Sequence, residues 1–290
     1  MKLEGLSRRC LDCNSNHNTL YYHYDRYKTA FKYCNKCGGS RDLDEYCAEH
    51  GIDVPTEEQI NRIITSDSSN DKELEVMSWP KHFIPLWQDQ AKPGIEYLKS
   101  RGIEPSDGMY FDVEQNGIVF PYYHGSSCVG AQVRFIEPQI KDGKPWKITT
   151  VKGTKLTKLF YGWNQGDLPH YVKNLVVTEG AFNAIALQQT FNHHFKSATK
   201  NPYRFVAASG SSLGKYRKEI LSELKAEGIR VILAADSDEA GLAMFQDACE
   251  AECITHWSTV SKDGVDWNDV LIEGGEKELL AEFLKNLKKA

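Results

Sequence analysis

Val231–Gly241 reads VILAADSDEAG, five apolar residues followed by two aspartates one residue apart and a glutamate beside them. An apolar run of this kind is a strand buried on both faces, as in a parallel sheet. If the strand persists, Asp236 and Asp238 point to one face, at the carboxyl end where open α/β sheets bind ligands. Two readings compete. In one, Ser237 or Asp238 caps a helix running from Ala240 to about Ala251. In the other, two carboxylates that resist ionising together share a hard cation such as Mg2+, which takes oxygen ligands.

Outward from this stretch the pattern repeats. NLVVTEG (174–180) reads as a strand ending at Glu179, and AFNAIALQQTF (181–191) as a helix. RFVAASG (204–210) is a strand and SLGKYRKEILSELKAEG (212–228) a helix. After the quoted stretch come the helix AGLAMFQDACEAE (240–252), the strand ITHWSTV (254–260) and KDGVDWNDVLIEGG (262–275). Strands alternating with helices give an α/β fold, a parallel sheet with helices on its faces. Glu179, Asp236 with Asp238, and Asp266 with Asp269 then gather on one rim. Each alone has a plainer reading, a surface turn for Glu179 and a helix cap for Asp266; three acidic turns on one rim favour the cation. SGSSLGKY (209–216) resembles a phosphate-binding Walker loop but lacks its first Gly and its final Ser/Thr. An ATPase is excluded, and a helicase partner is expected as a separate chain.

The chain has 290 residues, room for two or three domains. Apolar content of 41% and charged content of 26% are those of a globular protein. No apolar run approaches a membrane span, and MKLEGLSRRC lacks the apolar core of a signal peptide. A cytoplasmic location is expected. The net charge of −5 is unevenly spread. Residues 1–41 carry eight Lys/Arg against three Asp/Glu, and residues 134–158 seven against two. Two basic islands on an acidic chain suit local contact with phosphates.

Cys10, Cys13, Cys34 and Cys37 form two C-x2-C pairs twenty residues apart. In a reducing compartment this spacing reads as one structural zinc held by four thiolates; an alternative joins Cys34 and Cys37 with Cys47 and His50. Between the pairs, YYHYDRYKTAFKYC has the period-two character of a ribbon. Some of its aromatics fill a miniature core, and others beside Arg26, Lys28 and Lys32 suit stacking on unpaired bases. The expected organisation is a zinc ribbon over 1–50 and a linker over 51–92, with order returning at MSWPKHFIPLW. A first subdomain follows over 93–165, then the alternating domain over 166–275 and a C-terminal helix over 276–290. In the first subdomain PGIEYLKSRG is a helix punctuated by Pro93 and Gly102. GIVFPYYHG and CVGAQVRFIE are a hairpin turning at Gly125–Ser127, ahead of the basic stretch KDGKPWKITTVKGTKLTK.

VVTEG, AASGSSL, AADSDEAG and KDGVDWNDVL together resemble the TOPRIM domain of bacterial and bacteriophage primases, topoisomerases and some nucleases. EYLKSRGI, Arg134, KPWKIT and LFYGW extend the resemblance to the primase polymerase domain, and the cysteine ribbon stands where a primase has its zinc domain. The order of parts spans nearly the whole chain, with a length closest to phage primases. The departures are a short linker, a diverged basic stretch and no counterpart of a bacterial primase's helicase-binding domain. The resemblance implies a small β zinc ribbon followed by a mixed α/β polymerase domain that contains the TOPRIM fold. It implies that Glu179, Asp236 and Asp238, with Asp266, hold two catalytic Mg2+ ions (Mn2+ being the alternative). It also implies that Arg134, Lys147, Lys152 and Lys155, with Asn268 and Asp269 as weaker matches, meet nucleotide phosphates or template. The implied activity is a DNA-directed RNA polymerase of primase type. It would join ribonucleoside triphosphates into an RNA primer on single-stranded DNA, beside a separate replicative helicase. Two rivals remain. A TOPRIM nuclease would use the same acids but need neither ribbon nor basic segment, and a zinc-plus-TOPRIM recombination mediator would bind DNA without needing the full acidic set.

Overall fold

The computed structural model describes residues 18–22, 30–34, 40–51, 74–106, 108–164 and 168–290, in two compact units, Met1–Glu73 and Leu74–Ala290. In the first unit β1 (Asn18–Tyr22), β2 (Ala30–Cys34) and β3 (Ser40–Asp42) form an antiparallel sheet in that order. The helix α1 (Leu43–Glu49) follows and buries Tyr46 and Cys47. The pairing of Asn18 with Cys34 gives the expected ribbon hairpin. Cys10, Cys13 and Cys37 lie outside the described residues, and Cys34 contributes only its backbone. Both zinc assignments therefore fall outside them too.

The second unit opens earlier than the expected linker boundary at residue 92. Phe83 and Ile84 are buried in β4 (Phe83–Pro85), and Trp79 Nε1 donates to Phe83 O. A 3-10 turn (Asp89–Ala91) leads into α2 (Lys92–Ser100), which has proline in its first turn and buries Leu98. Then β5 (Tyr110–Asp112), β6 (Gly117–His124), β7 (Ser127–Lys141) and β8 (Lys144–Thr150) complete a five-stranded antiparallel meander with β4. The basic stretch thus contains a second hairpin. Asp142 and Gly143 both take positive φ, 51° and 75°, between β7 and β8, as a two-residue hairpin turn of Asp-Gly type requires.

The alternating half holds β9 (Asn174–Thr178), α3 (Ala181–His194), β10 (Tyr203–Ala207), α4 (Gly214–Ala226), β11 (Arg230–Ala235), α5 (Glu239–Glu250), β12 (His256–Thr259) and α6 (Trp267–Lys285). The strands β10-β9-β11-β12 are parallel. Their alternating apolar residues feed two cores. Leu175, Val177, Val231 and Leu233 face one, and Val176, Ile232 and Ala234 the other. Helices on both faces are what such doubly apolar strands need. The second core also takes in Phe111, Ile118 and Phe120, which fuses the two sheets into one unit. The C-terminal helix expected over 276–290 differs. α6 begins at Trp267, kinks at Gly275 (φ 75°) and ends at Lys285. Lys288–Lys289 then forms β13, antiparallel to the edge strand β12.

Candidate carboxylate site at the sheet switch point

The chain leaves β9 for β10 on one side and β11 for β12 on the other, so the strand order reverses between β9 and β11. Such a switch point opens a crevice at the carboxyl ends of the strands. Glu179 follows β9 and Asp236 follows β11, which puts one carboxylate on each lip. Glu179 Oε1 accepts from the backbone N–H of Asp236 at 3.3 Å. Asp238 is the N-cap of α5 and accepts from Gly241 N through Oδ1 at 2.8 Å. Asp266 is the N-cap of α6, accepting from Asp269 N through Oδ1 at 2.8 Å, and Asp269 Oδ2 accepts from Asp266 N in return. Capping and clustering therefore coexist.

Among the described residues no three His, Cys, Asp or Glu side chains are drawn together as a metal-holding set. Asp238 and Asp266 are each engaged at a helix N-terminus. In Glu179, Asp236, Asp238 and Asp266 alike, one oxygen takes the hydrogen bond that holds the fold.

The electrostatics favour a cation. Burial, then the charges of Glu179, Asp266, Asp238 and Asp269, push the Asp236 carboxyl up to about 8. The charges acting on it are all carboxylates. Burial also raises Glu179, opposed by the hydrogen bond from Asp236 and reinforced by Asp238. Asp266 is raised by burial against the lowering effect of its own capping bond. Among the described residues the cation that bears on this group is Arg101, 3.7 Å from Asp269 Oδ1. An all-oxygen donor set with surplus negative charge fits a hard divalent ion.

Three residues that the sequence reading passed over build this site. Asn183, buried in the first turn of α3, donates through Nδ2 to Asp236 Oδ1 at 2.8 Å and accepts from Asn268 N at 3.1 Å. A polar residue inside the apolar run AFNAIAL was the signal. Gly241 brings α5 against Asp236 O and Glu179 Oε1, which a Cβ would reach at 2.1 and 2.9 Å. Arg101, at the end of α2, carries its guanidinium over the Phe182 ring and toward Asp269.

Two expected contacts are given to the fold instead. Asn268 is fully buried, and its Nδ2 donates to Arg101 O at 2.8 Å; a group without access to solvent meets no nucleotide. Asp269 completes the capping box and faces Arg101. Arg134 lies half-buried on β7, Lys147 is exposed on β8, and Lys152 and Lys155 follow in the loop beyond. None of these four is among the charges acting on Asp236. Beside Asp236 and Asp238 opens a groove of about 860 Å3, with Leu242, Phe245, Trp257 and Lys288 along its wall.

Residues 176–271 match a family model described as Toprim-like. In structure the chain is similar to the DnaG catalytic core, at 18% identity over 71% of this chain and 76% of that one, with a TM-score of 0.51. A DnaG primase catalytic domain bound to ssDNA gives 17% identity, 71% and 74% coverage and a TM-score of 0.49. The primase fragment of the bacteriophage T7 primase-helicase protein gives 19%, 96% and 98%, and 0.41. No curated protein matches the chain in sequence. Among the described residues no helix is long and apolar enough to cross a membrane. Residues 176–271 thus match a Toprim-like family, in a chain that shares its fold with the DnaG catalytic core.

Proposed function

We propose that this chain is a DNA primase that joins ribonucleotides on a single-stranded DNA template. The observation that carries the reading is the pair Glu179 and Asp236 on opposite lips of the switch-point crevice, with proton affinity raised by burial and then by neighbouring carboxylates. Glu179, Asp236 and Asp238, with Asp266 behind them, are the residues that would hold Mg2+. When bound, such ions neutralise charge on the attacking and leaving oxygens. The chain's own residues supply the positions. Asn183 fixes the Asp236 carboxylate, and Gly241 lets α5 approach closely enough to bring Asp238 to the same rim. In the reaction a 3′-hydroxyl oxygen bonds to the α-phosphorus, the bond to the β-phosphate breaks and pyrophosphate leaves. The hydroxyl proton leaves to water or to a rim carboxylate, Glu179 serving as that base where it does not hold an ion. Phosphoryl chemistry of this kind needs positioning and charge neutralisation rather than a covalent intermediate.

Arg134 and Lys147, on adjacent strands of the meander, are assigned to nucleotide phosphates or template, with Lys152 and Lys155 beyond them. Lys147→Ala is expected to raise the KM for ribonucleotide or template about three- to tenfold at low salt, with the difference shrinking as salt rises. Salt-independent, wild-type constants would return Lys147 to the solvated surface. The ribbon is assigned one Zn2+ through Cys10, Cys13, Cys34 and Cys37, and contact with the template. Cys34→Ser is expected to lose that zinc and template-dependent synthesis together. A full equivalent of zinc in the mutant, measured by elemental analysis, would shift the assignment to other ligands. A replicative helicase is the partner proposed for this activity.

The deciding experiment is synthesis on mixed-sequence single-stranded DNA with labelled ribonucleotides and Mg2+. Short RNA products support the primase; metal-dependent loss of the template instead would make the acids those of a nuclease.

A further inference from the structure

Ser209 is a non-glycine residue at φ 56°, in the turn that follows β10 on the carboxylate rim. A left-handed serine is strained by comparison with glycine and persists where its surroundings hold it. A chain of side-chain hydrogen bonds holds it. The Tyr122 hydroxyl on β6 is 2.5 Å from Ser209 Oγ and 2.7 Å from Gln132 Oε1 on β7. Gln132 Nε2 donates in turn to Thr150 Oγ1 on β8 at 3.3 Å. Tyr122 is 1% exposed, and burial drives its phenol upward, so the proton that makes this bridge stays in place. On the far side of Ser209 the backbone meets the site directly. Ala208 N donates to Thr178 O at 2.8 Å and Gly210 N to Glu179 O at 3.3 Å. The strand pairing beside Glu179 therefore continues past β10 through a residue whose backbone angle is unfavourable on its own.

Gln132 and Arg134 lie two apart on β7 and share a face of that strand, opposite the buried Ala131, Val133 and Phe135. One hydroxyl thus ties the strand that carries a proposed phosphate contact to the turn after β10, whose Gly210 N bonds the backbone carbonyl of the proposed metal ligand Glu179.

We infer that Tyr122 and Ser209 are positioning residues, a hydrogen-bonded lock that keeps the Arg134 strand and the Glu179 turn in register. The inference rests on the primase reading for what the register serves, and on geometry alone for the lock itself. Without the hydroxyl, Ser209 relaxes toward negative φ and the bond from Gly210 N to Glu179 O opens.

Tyr122→Phe keeps the ring and its packing and removes the bridge. In the full chain, Gly210 amide exchange is expected to quicken by about tenfold, and the Mg2+ concentration for half-maximal RNA synthesis to rise by about fivefold, the scale of one lost buried hydrogen bond. Ser209→Gly in the Tyr122→Phe background is the informative rescue, because glycine takes positive φ without needing to be held. Both readouts should return toward wild type in the double mutant. A Tyr122→Phe protein with unchanged Gly210 exchange would overturn the lock, as would a double mutant as impaired as the single one. Absence of RNA synthesis in the wild type would remove the primase reading while the exchange measurement still judged the lock.

Discussion

Asp236→Asn is expected to cut RNA synthesis on the order of a thousandfold, the scale seen when charge-stabilising groups leave a reaction centre, while making the metal-free protein more stable. The two effects have one cause. In the folded chain the Asp236 carboxyl is pushed from an ordinary 3.8 to about 8 by burial and by four neighbouring carboxylates. Below about pH 4 both folded and unfolded chains hold the proton, and Asp236 costs nothing. Between about pH 4 and 8 the folded chain keeps a proton that the unfolded chain has released, so stability falls as pH rises through that window. Above about pH 8 the folded chain carries the full repulsion. The asparagine removes it, and its Oδ1 can still accept from Asn183 Nδ2 as the aspartate does. Thermal unfolding at pH 4, 6 and 8 checks the sign. Wild type should lose Tm across the series, with the mutant's advantage largest at pH 8. Mg2+ should close the gap at pH 8 by raising wild type alone. A mutant that is less stable than wild type at pH 8, or that retains synthesis, would take Asp236 out of the metal site.

The alternating half was open to reading because its signals are local. Doubly buried strands such as VILAA are apolar at every position, and Glu179 and Asp236 sit where a strand stops, so the alternation of elements and the place of these acids follow from the pattern. The switch point between β9 and β11 adds what the pattern lacks, since strand order is a property of pairing rather than of any one segment. Three features escaped for physical reasons. Asn268 and Asp269 look like site acids and amides in sequence, yet capping and burial claim them once α6 docks. Asn183 sits in an apolar helix, and its partner is 53 residues away, a separation that periodicity does not register. The β7–β8 hairpin hid behind its lysines, although Asp142-Gly143 is a hairpin turn in its own right. The rim was legible; the brackets that hold it were not.

Gly241→Ala is the second large effect, and it reverses the usual rule for a helix. Replacing glycine by alanine inside a helix ordinarily stabilises by about 0.5–1 kcal/mol. At Gly241 a Cβ would stand 2.1 Å from the carbonyl oxygen of Asp236 and 2.9 Å from Glu179 Oε1. The first of these is backbone, so no side-chain rotation relieves it, and α5 must move. Overpacking of this kind costs about 1–3 kcal/mol, which exceeds the propensity gain. The displacement is also aimed at the site. Gly241 N donates to Asp238 Oδ1, so a shift of α5 carries Asp238 away from Asp236 while the methyl presses on the Glu179 carboxylate. Misplacing catalytic groups by about an ångström is worth roughly a hundredfold in rate. Gly180→Ala supplies the control, because it lies in the same crevice with nothing within 4 Å of its added Cβ and needs no positive φ. The expected result is a Gly180→Ala enzyme close to wild type in Tm and synthesis, and a Gly241→Ala enzyme lower in both. Equal behaviour of the two alanines would mean that α5 does not approach the carboxylates as closely as it does here, and the proposal that Glu179, Asp236 and Asp238 hold Mg2+ together would fall with it.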